Sequence, residues 1–285
     1  MKILDGKAVA ERVRQDVKAQ AADGAKRFGK KPGLAVVLVG DDPASQVYVG
    51  GKIKACNEAG IESFEHRLPA STDFATLKNL ILGLNADPKV HGILVQLPLP
   101  KQLNEFDVIS LIDPKKDPDG LTTHNLGLLI QGKQHVASCT PAGVMEILRF
   151  YGYDVAGMNA VVIGRSRIVG LPMAQLLIQA NATVTTAHSK SKNLKDITTR
   201  ADIVVAAAGQ KEFFGRDYFK PGAIVIDVGI HRGEGKKLSG DVKFDEISHV
   251  AACTPVPGGV GPMTITMLLK NTVTLFQRLE EKNNG

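Results

Sequence analysis

Tyr48 and Lys52 stand four residues apart in YVGGKIKACNEAGI (48–61), so on a helix they share one face. A lysine of ordinary pKa, near 10.4, is almost wholly protonated at pH 7 and a poor base. Burial or a nearby cation lowers that value, and such an amine shuttles protons at neutral pH. The plainer alternative is a surface lysine lying along a tyrosine ring. Gly50 and Gly51 interrupt the same helix, each costing about 1 kcal/mol relative to alanine. They make sense where a backbone or a ligand lies close. Two loops, VQLPLP (95–100) and KDPDG (116–120), leave elements of the same sheet where open α/β sheets bind ligands. They supply Gln96 and Asp119. Gln96, being neutral, can orient an amine without stabilising its charged form.

A second set of residues faces different chemistry. AVVIGRSRIVGLPMAQLL (160–177) reads as strand, tight turn and helix, the arrangement that presents backbone N–H groups to a pyrophosphate. The usual G-x-G-x-x-G is absent, and Gly164 and Gly170 bracket Arg-Ser-Arg-Ile-Val instead. An ordinary βα turn explains that pattern equally well. A site for NAD places Asp or Glu about 20 residues on, against the ribose hydroxyl. Here no acid occurs from Gly164 through Lys195, and HSK (188–190) sits where the acid belongs. Arg165, Arg167, Lys190, Lys192 and Lys195 fill the interval, which suits a 2′-phosphate and favours NADP over NAD; Lys192 and Lys195 also read as a solvated face. Gly229 and Ile230, ending IDVGI, permit close approach of a nicotinamide or simply finish a strand.

These residues need elements to carry them. Residues 6 to 28 show helical spacing, and LAVVLVG (34–40) reads as a strand covered on both faces. The lysine helix follows, with Asp42 as cap, Pro43 in its first turn, Gly60 at its exit, and Val49, Ile53 and Cys56 as its buried stripe. IESFEHRL and HGILVQL read as strands around a helix DFATLKNLILGLNA. A further helix begins at CTPAGVMEILRF, with Thr140 as cap and Pro141 at the first position. Strands then recur at 160–164, 182–187, 202–209 and 223–229, and a long amphipathic helix runs from roughly 262 to 281. Such alternation predicts parallel sheets in an α/β protein of two domains. Residues 1–139, joined by the final helix (262–285), form the first, and residues 140–261 the second.

Composition narrows the class. The chain has 285 residues, 44% hydrophobic and 22% charged, as in soluble globular proteins. No apolar run approaches the ~20 residues of a membrane span, and MKILDGKAVAERVRQD lacks the pattern of a signal or transit peptide. The cytoplasm and no membrane partner are therefore expected. Cys56, Cys139 and Cys253 lie far apart, indicating neither a disulfide framework nor a zinc site, so no metal is expected. The formal charge of +6 comes without a dense basic tract, and with 5% aromatics and no Trp, nucleic acid is a poor partner. Small anionic ligands fit better.

With these residues assembled, the chain resembles the bifunctional methylenetetrahydrofolate dehydrogenase/methenyltetrahydrofolate cyclohydrolase family. The likeness runs from LAVVLVGDDPASQVYV to the final helix. GILVQLPLP and TPVPGGVGPMT (254–264) are its most specific motifs, and YVGGKIKAC, KDPDG, CTPAG and VVIGRSRIVGLPMA support it. The resemblance implies an N-terminal catalytic domain, a C-terminal Rossmann-type NADP-binding domain and a cleft between them. It implies oxidation of 5,10-methylenetetrahydrofolate by NADP+ and hydrolysis of the methenyl product to 10-formyltetrahydrofolate. On matching positions, Lys52 would be the acid/base of hydrolysis, tuned by Gln96, with a substrate cation beside the amine favouring its neutral form. Tyr48 would pack on the folate, Asp119 would anchor the pterin, and Leu97, Pro257, Gly258 and Gly259 would line the substrate. Gly164, Arg165, Ser166, Ser189 and Ile230 would line the cofactor. A homodimer acting on folate, polyglutamylated or not, is implied too. Gly50, Gly51, Pro118, Leu121 and Ser138 depart from the family's common pattern. An NADP dehydrogenase of the shikimate or malate type would leave VQLPLP and PGGVGPMT unexplained. A binding module without catalysis has no use for Lys52, Gln96 and Asp119 together.

Overall fold

The computed structural model describes residues 1–233 and 238–283. In chain order its strands are β1 (Lys2–Ile3), β2 (Gly33–Val39), β3 (Glu62–Leu68), β4 (Gly92–Val95), β5 (Asn159–Ile163), β6 (Thr183–Ala187), β7 (Ile203–Ala206), β8 (Ile224–Asp227), β9 (His231–Arg232), β10 (Leu238–Ser239) and β11 (Ala252–Cys253). The helices are α1 (Gly6–Phe28), α2 (Pro43–Ala59), α3 (Phe74–Ala86), α4 (Glu105–Ile109), α5 (Thr123–Ile130), α6 (Cys139–Phe150), α7 (Gly170–Gln179), α8 (Leu194–Thr198) and α9 (Val260–Asn283). Residues 284–285 of the expected final helix lie outside the described residues.

The chain divides into two compact units, Arg12–Cys139 with Leu268–Gly285, and Met1–Glu11 with Thr140–Met267. The first holds a three-stranded parallel sheet in the order β3-β2-β4. Every residue of the central strand β2 is buried. Ala35, Val37 and Val39 pack with Leu77, Ile81, Ile93 and Val108, while Leu34, Val36 and Leu38, on the opposite face, are buried as well. Burial on both faces requires the unbroken apolar run seen in the sequence, since successive side chains alternate sides. Each Val, Leu or Ile so buried contributes about 1.5–3 kcal/mol.

The second unit holds a six-stranded sheet in the order β1-β11-β8-β7-β5-β6, parallel throughout, and a small antiparallel hairpin of β9 and β10. From β5 the chain steps outward to β6 and then back across to β7. That reversal creates the crevice at the carboxyl ends of β5 and β7 where α/β sheets take ligands. Two expectations change. Residues 1–11 group with the second unit, because Lys2 and Ile3 pair with Ala252 and Cys253. Likewise α9 begins in the second unit, and only its part from Leu268 belongs with the first.

Several helix starts follow local chemistry, α3, α4 and α5 through the side chains of Asp73, Asn104 and Thr122, whereas α7 and α8 have no cap from the side chain at that position. Asp42 caps α2 by accepting the Ser45 N–H at 2.7 Å, Pro43 opens it, and Gly60 closes it at φ 76°. Thr140 is no cap: α6 already begins at Cys139, and the Thr140 hydroxyl meets that of Thr264 at 2.9 Å. No helix among the described residues is long and apolar enough to cross a membrane.

Candidate functional site

In the three-stranded unit, α2 and the loops after β4 and the Pro114–Lys116 turn bring four of the expected residues into one neighbourhood. Lys52 is half-buried, and its Nζ donates to Gln96 Oε1 at 2.9 Å. Gln96 is held at both ends: its backbone N–H donates to Val37 O at 2.9 Å, and its Nε2 to Leu97 O at 2.6 Å. The second bond occupies the amide's donor end, so the acceptor end faces the amine. Tyr48, one turn earlier, is 41% exposed and free to meet a ligand.

Asp119 adds a carboxyl to this neighbourhood. Burial pushes its pKa up; the Lys52 ammonium and a hydrogen bond from Cys139 pull the other way, and Asp117 adds a smaller upward push. The Cys139 Sγ lies 3.2 Å from Asp119 Oδ1. Asn271 on α9 fastens the same segment, its Nδ2 donating to Pro118 O at 2.7 Å and Ala137 O at 2.9 Å. Neither Cys139 nor Asn271 stood out in the sequence as serving Asp119, since both act through contacts distant along the chain. Of the expected stripe on α2, Val49 and Cys56 are fully buried while Ile53 is only half-buried. Burial drives the Cys56 thiol up to about 12, so it is inert packing. Of the backbone or ligand expected close to the glycines, no backbone is found at Gly50, where an added Cβ would meet no protein atom within 4 Å.

In the six-stranded unit, a cavity of about 400 Å³ opens at the carboxyl ends of β5, β6 and β7. Gly164, Arg165, Ser166 and Ser189 line it together with His188 and Gln210, and none of its lining residues is acidic. The glycine spacing has a steric reason. Gly164 adopts φ 135°, and a Cβ there would collide with the Ala207 carbonyl oxygen. A Cβ on Gly170 would collide with the carbonyl oxygen of Gly164. Only glycine at both ends lets the turn fold this tightly onto the strand before α7 begins. Ser166 Oγ accepts the N–H groups of Val169 and Gly170 at 3.2 and 3.3 Å, satisfying donors that open the helix. The cavity and the glycine cradle fit a dinucleotide phosphate, with the exposed Arg165 as its cationic partner.

The remaining expected residues lie apart from that cavity. Ile230 is exposed and does not line it; its Cδ1 is 3.5 Å from where a Gly261 Cβ would stand. Pro257, Gly258 and Gly259 belong to the six-stranded unit, whereas Lys52, Gln96 and Asp119 belong to the other. A Cβ on Gly6, at the start of α1, would strike the Gly259 carbonyl oxygen, so this loop is packed against that helix start. Lys195 pairs with Asp217 at 3.2 Å, which places it on the solvated face.

A parallel sheet with a glycine turn and an acid-free cavity at its switch point, in one chain with a lysine–amide–carboxyl set on a second parallel sheet, defines a dinucleotide-binding α/β protein with the groups of an enzyme. Residues 4–119 match the model of the tetrahydrofolate dehydrogenase/cyclohydrolase catalytic domain, and residues 138–280 that of its NAD(P)-binding domain. The chain belongs to the tetrahydrofolate dehydrogenase/cyclohydrolase family. It is 56% identical over 284 residues to the bifunctional protein FolD of Campylobacter concisus, covering 99% of this chain and 100% of that one. The crystal structure of the bifunctional FolD enzyme of Campylobacter jejuni superposes with a TM-score of 0.96 at 46% identity, covering 98% and 99% of the two chains. That of Trypanosoma brucei FolD, complexed with NADP cofactor and inhibitor, gives 0.92 at 40% identity, covering 97% of each.

Proposed function

We propose that this chain oxidises 5,10-methylenetetrahydrofolate to the 5,10-methenyl form with NADP+ and hydrolyses that cation to 10-formyltetrahydrofolate. The observation that carries the reading is the Lys52–Gln96 hydrogen bond at 2.9 Å, with Asp119 in the electrostatic field of the same amine. When bound, the cofactor supplies the hydride acceptor. Gly164, Arg165, Ser166 and Ser189 hold it, Ile230 approaches its nicotinamide end, and the acid-free cavity favours a 2′-phosphate.

Lys52 does the proton work of hydrolysis. Water attacks the methenyl carbon as its proton passes to the Lys52 amine, giving a neutral adduct. The resulting ammonium protonates the ring nitrogen as its carbon–nitrogen bond breaks, and the amine then takes the hydroxyl proton as the formyl C=O forms. One proton leaves to solvent, matching the change from cation plus water to neutral product. Gln96 keeps the amine aimed through these transfers without adding a negative charge. Asp119 accepts from the pterin's N–H donors, Tyr48 packs on the ring system, and Leu97 lines the substrate. Residues 12–139 with the part of α9 from Leu268 form the folate-binding catalytic part, and residues 140–267 with 1–11 the NADP-binding part. The same reading takes the protein to be a cytoplasmic homodimer acting on folate, polyglutamylated or not.

Mixing the purified protein with methylenetetrahydrofolate and NADP+ tests this. The expected result is a methenyl absorbance that rises and then decays as water adds, together with reduced cofactor. No absorbance change on mixing would overturn it.

A further inference from the structure

Asp241 is a fully buried carboxylate to which the proposed chemistry gives no task. Its Oδ2 accepts the backbone N–H groups of Ala208 at 2.7 Å and Gly209 at 2.9 Å. Its Oδ1 accepts the N–H of Gln210 at 3.0 Å and faces His231 Nε2 at 2.8 Å. Ala208 and Gln210 line the dinucleotide cavity, and His231 is the residue after Ile230. One side chain thus ties the cavity wall after β7 to the strand end after β8.

Asp227, at the end of β8, holds Asp241 in turn. Its Oδ1 accepts the N–H groups of Gly229 at 2.9 Å and Asp241 at 3.0 Å, and its Oδ2 that of Val242 at 3.0 Å. A Cβ on Gly229 would collide with the Asp241 carboxylate, and one on Gly240 with that of Asp227. Both glycines therefore make room for buried carboxylates. Burying a carboxylate is expensive unless donors saturate it, so a hairpin that only had to reverse the chain has no need of two. Three consecutive N–H groups, 208 to 210, converge on one side chain, and that fixes a loop which could otherwise adopt several turns.

We infer that Asp241 is a positioning residue for the dinucleotide: it sets the backbone of 208–210 as the cavity wall and, through His231, the approach of Ile230. The inference rests on the cofactor reading above. It places Asp241 in cofactor binding and outside methenyl hydrolysis, which consumes no cofactor.

Asp241→Asn tests it, because the amide keeps the shape but turns a donor toward N–H groups. Calorimetry with NADP+ should show Kd raised tenfold or more, with the apparent KM for NADP+ rising in parallel. Hydrolysis of added methenyltetrahydrofolate should keep its kcat within twofold. Unchanged NADP+ affinity in a folded variant would overturn the inference, and so would equal losses in both activities, which mark a purely structural residue. Should the variant fail to fold, His231→Ala decides, since it removes one of four donors: a several-fold weaker NADP+ Kd supports the inference and a wild-type Kd refutes it. Wild-type protein that binds no NADP+ would overturn the cofactor reading itself, an outcome distinct from a variant that binds as wild type.

Discussion

Asp119 and Arg165 show how single side chains here trade stability against binding. Burial raises the Asp119 carboxyl above its ordinary 3.8, so its charged form is the one the fold disfavours. Its contribution to stability is full while the carboxyl is protonated, below the ordinary value, and is lost as pH rises through the folded one. The ionised carboxylate is therefore a burden, which pterin donors would relieve. Asp119→Asn should melt a few degrees above wild type at pH 7.5, at about 2–4 °C for each kcal/mol. The gap should close toward pH 4, while folate turnover is largely lost; scanning calorimetry at both pH values reads this. Arg165 is exposed in a cavity with no acidic lining. A charge-assisted bond from it to a 2′-phosphate would be worth about 1.5–3 kcal/mol, so Arg165→Ala should weaken NADP+ at least tenfold and NAD+ far less. Equal weakening of the two would remove the argument from the missing acid.

Glycines separate two kinds of element. Gly50 lies in α2 with nothing near it, so Gly50→Ala should stabilise the protein by about 1 kcal/mol, measured by denaturant midpoint. Gly164→Ala forces a side chain into φ 135° and onto the Ala207 carbonyl. It should cost about 1–3 kcal/mol and abolish NADP+ binding. The caps of α2 and the run of β2 could be read from sequence because they depend on neighbours within four residues or on burial over both faces. Thr140 misled because Ser-or-Thr-then-Pro marks a helix start only when nothing upstream extends the helix, and α6 already includes Cys139. The roles of Asp241, Cys139 and Asn271 rest on partners brought close only by folding. Nothing in their immediate sequence sets them apart from ordinary turn and helix residues.

Across the whole chain, the two parallel sheets followed from the alternation of strands and helices, but the antiparallel β9–β10 hairpin and the grouping of residues did not. β1 has two residues and shows no periodicity, so its pairing with β11 leaves no local trace. α9 is one amphipathic helix by pattern, yet it is shared between units at Met267 and Leu268. The two sets of chemical groups are accordingly separable by mutation. Lys52 and Gln96 lie in one unit, and Gly164, Arg165 and Ser166 in the other. Lys52→Met, followed by absorbance after adding methenyltetrahydrofolate and by calorimetry with NADP+, tests this most directly. The prediction is a methenyl signal that persists at its uncatalysed rate of decay, with NADP+ affinity near wild type. Wild-type hydrolysis in the variant, or a matching collapse of NADP+ binding, would contradict it.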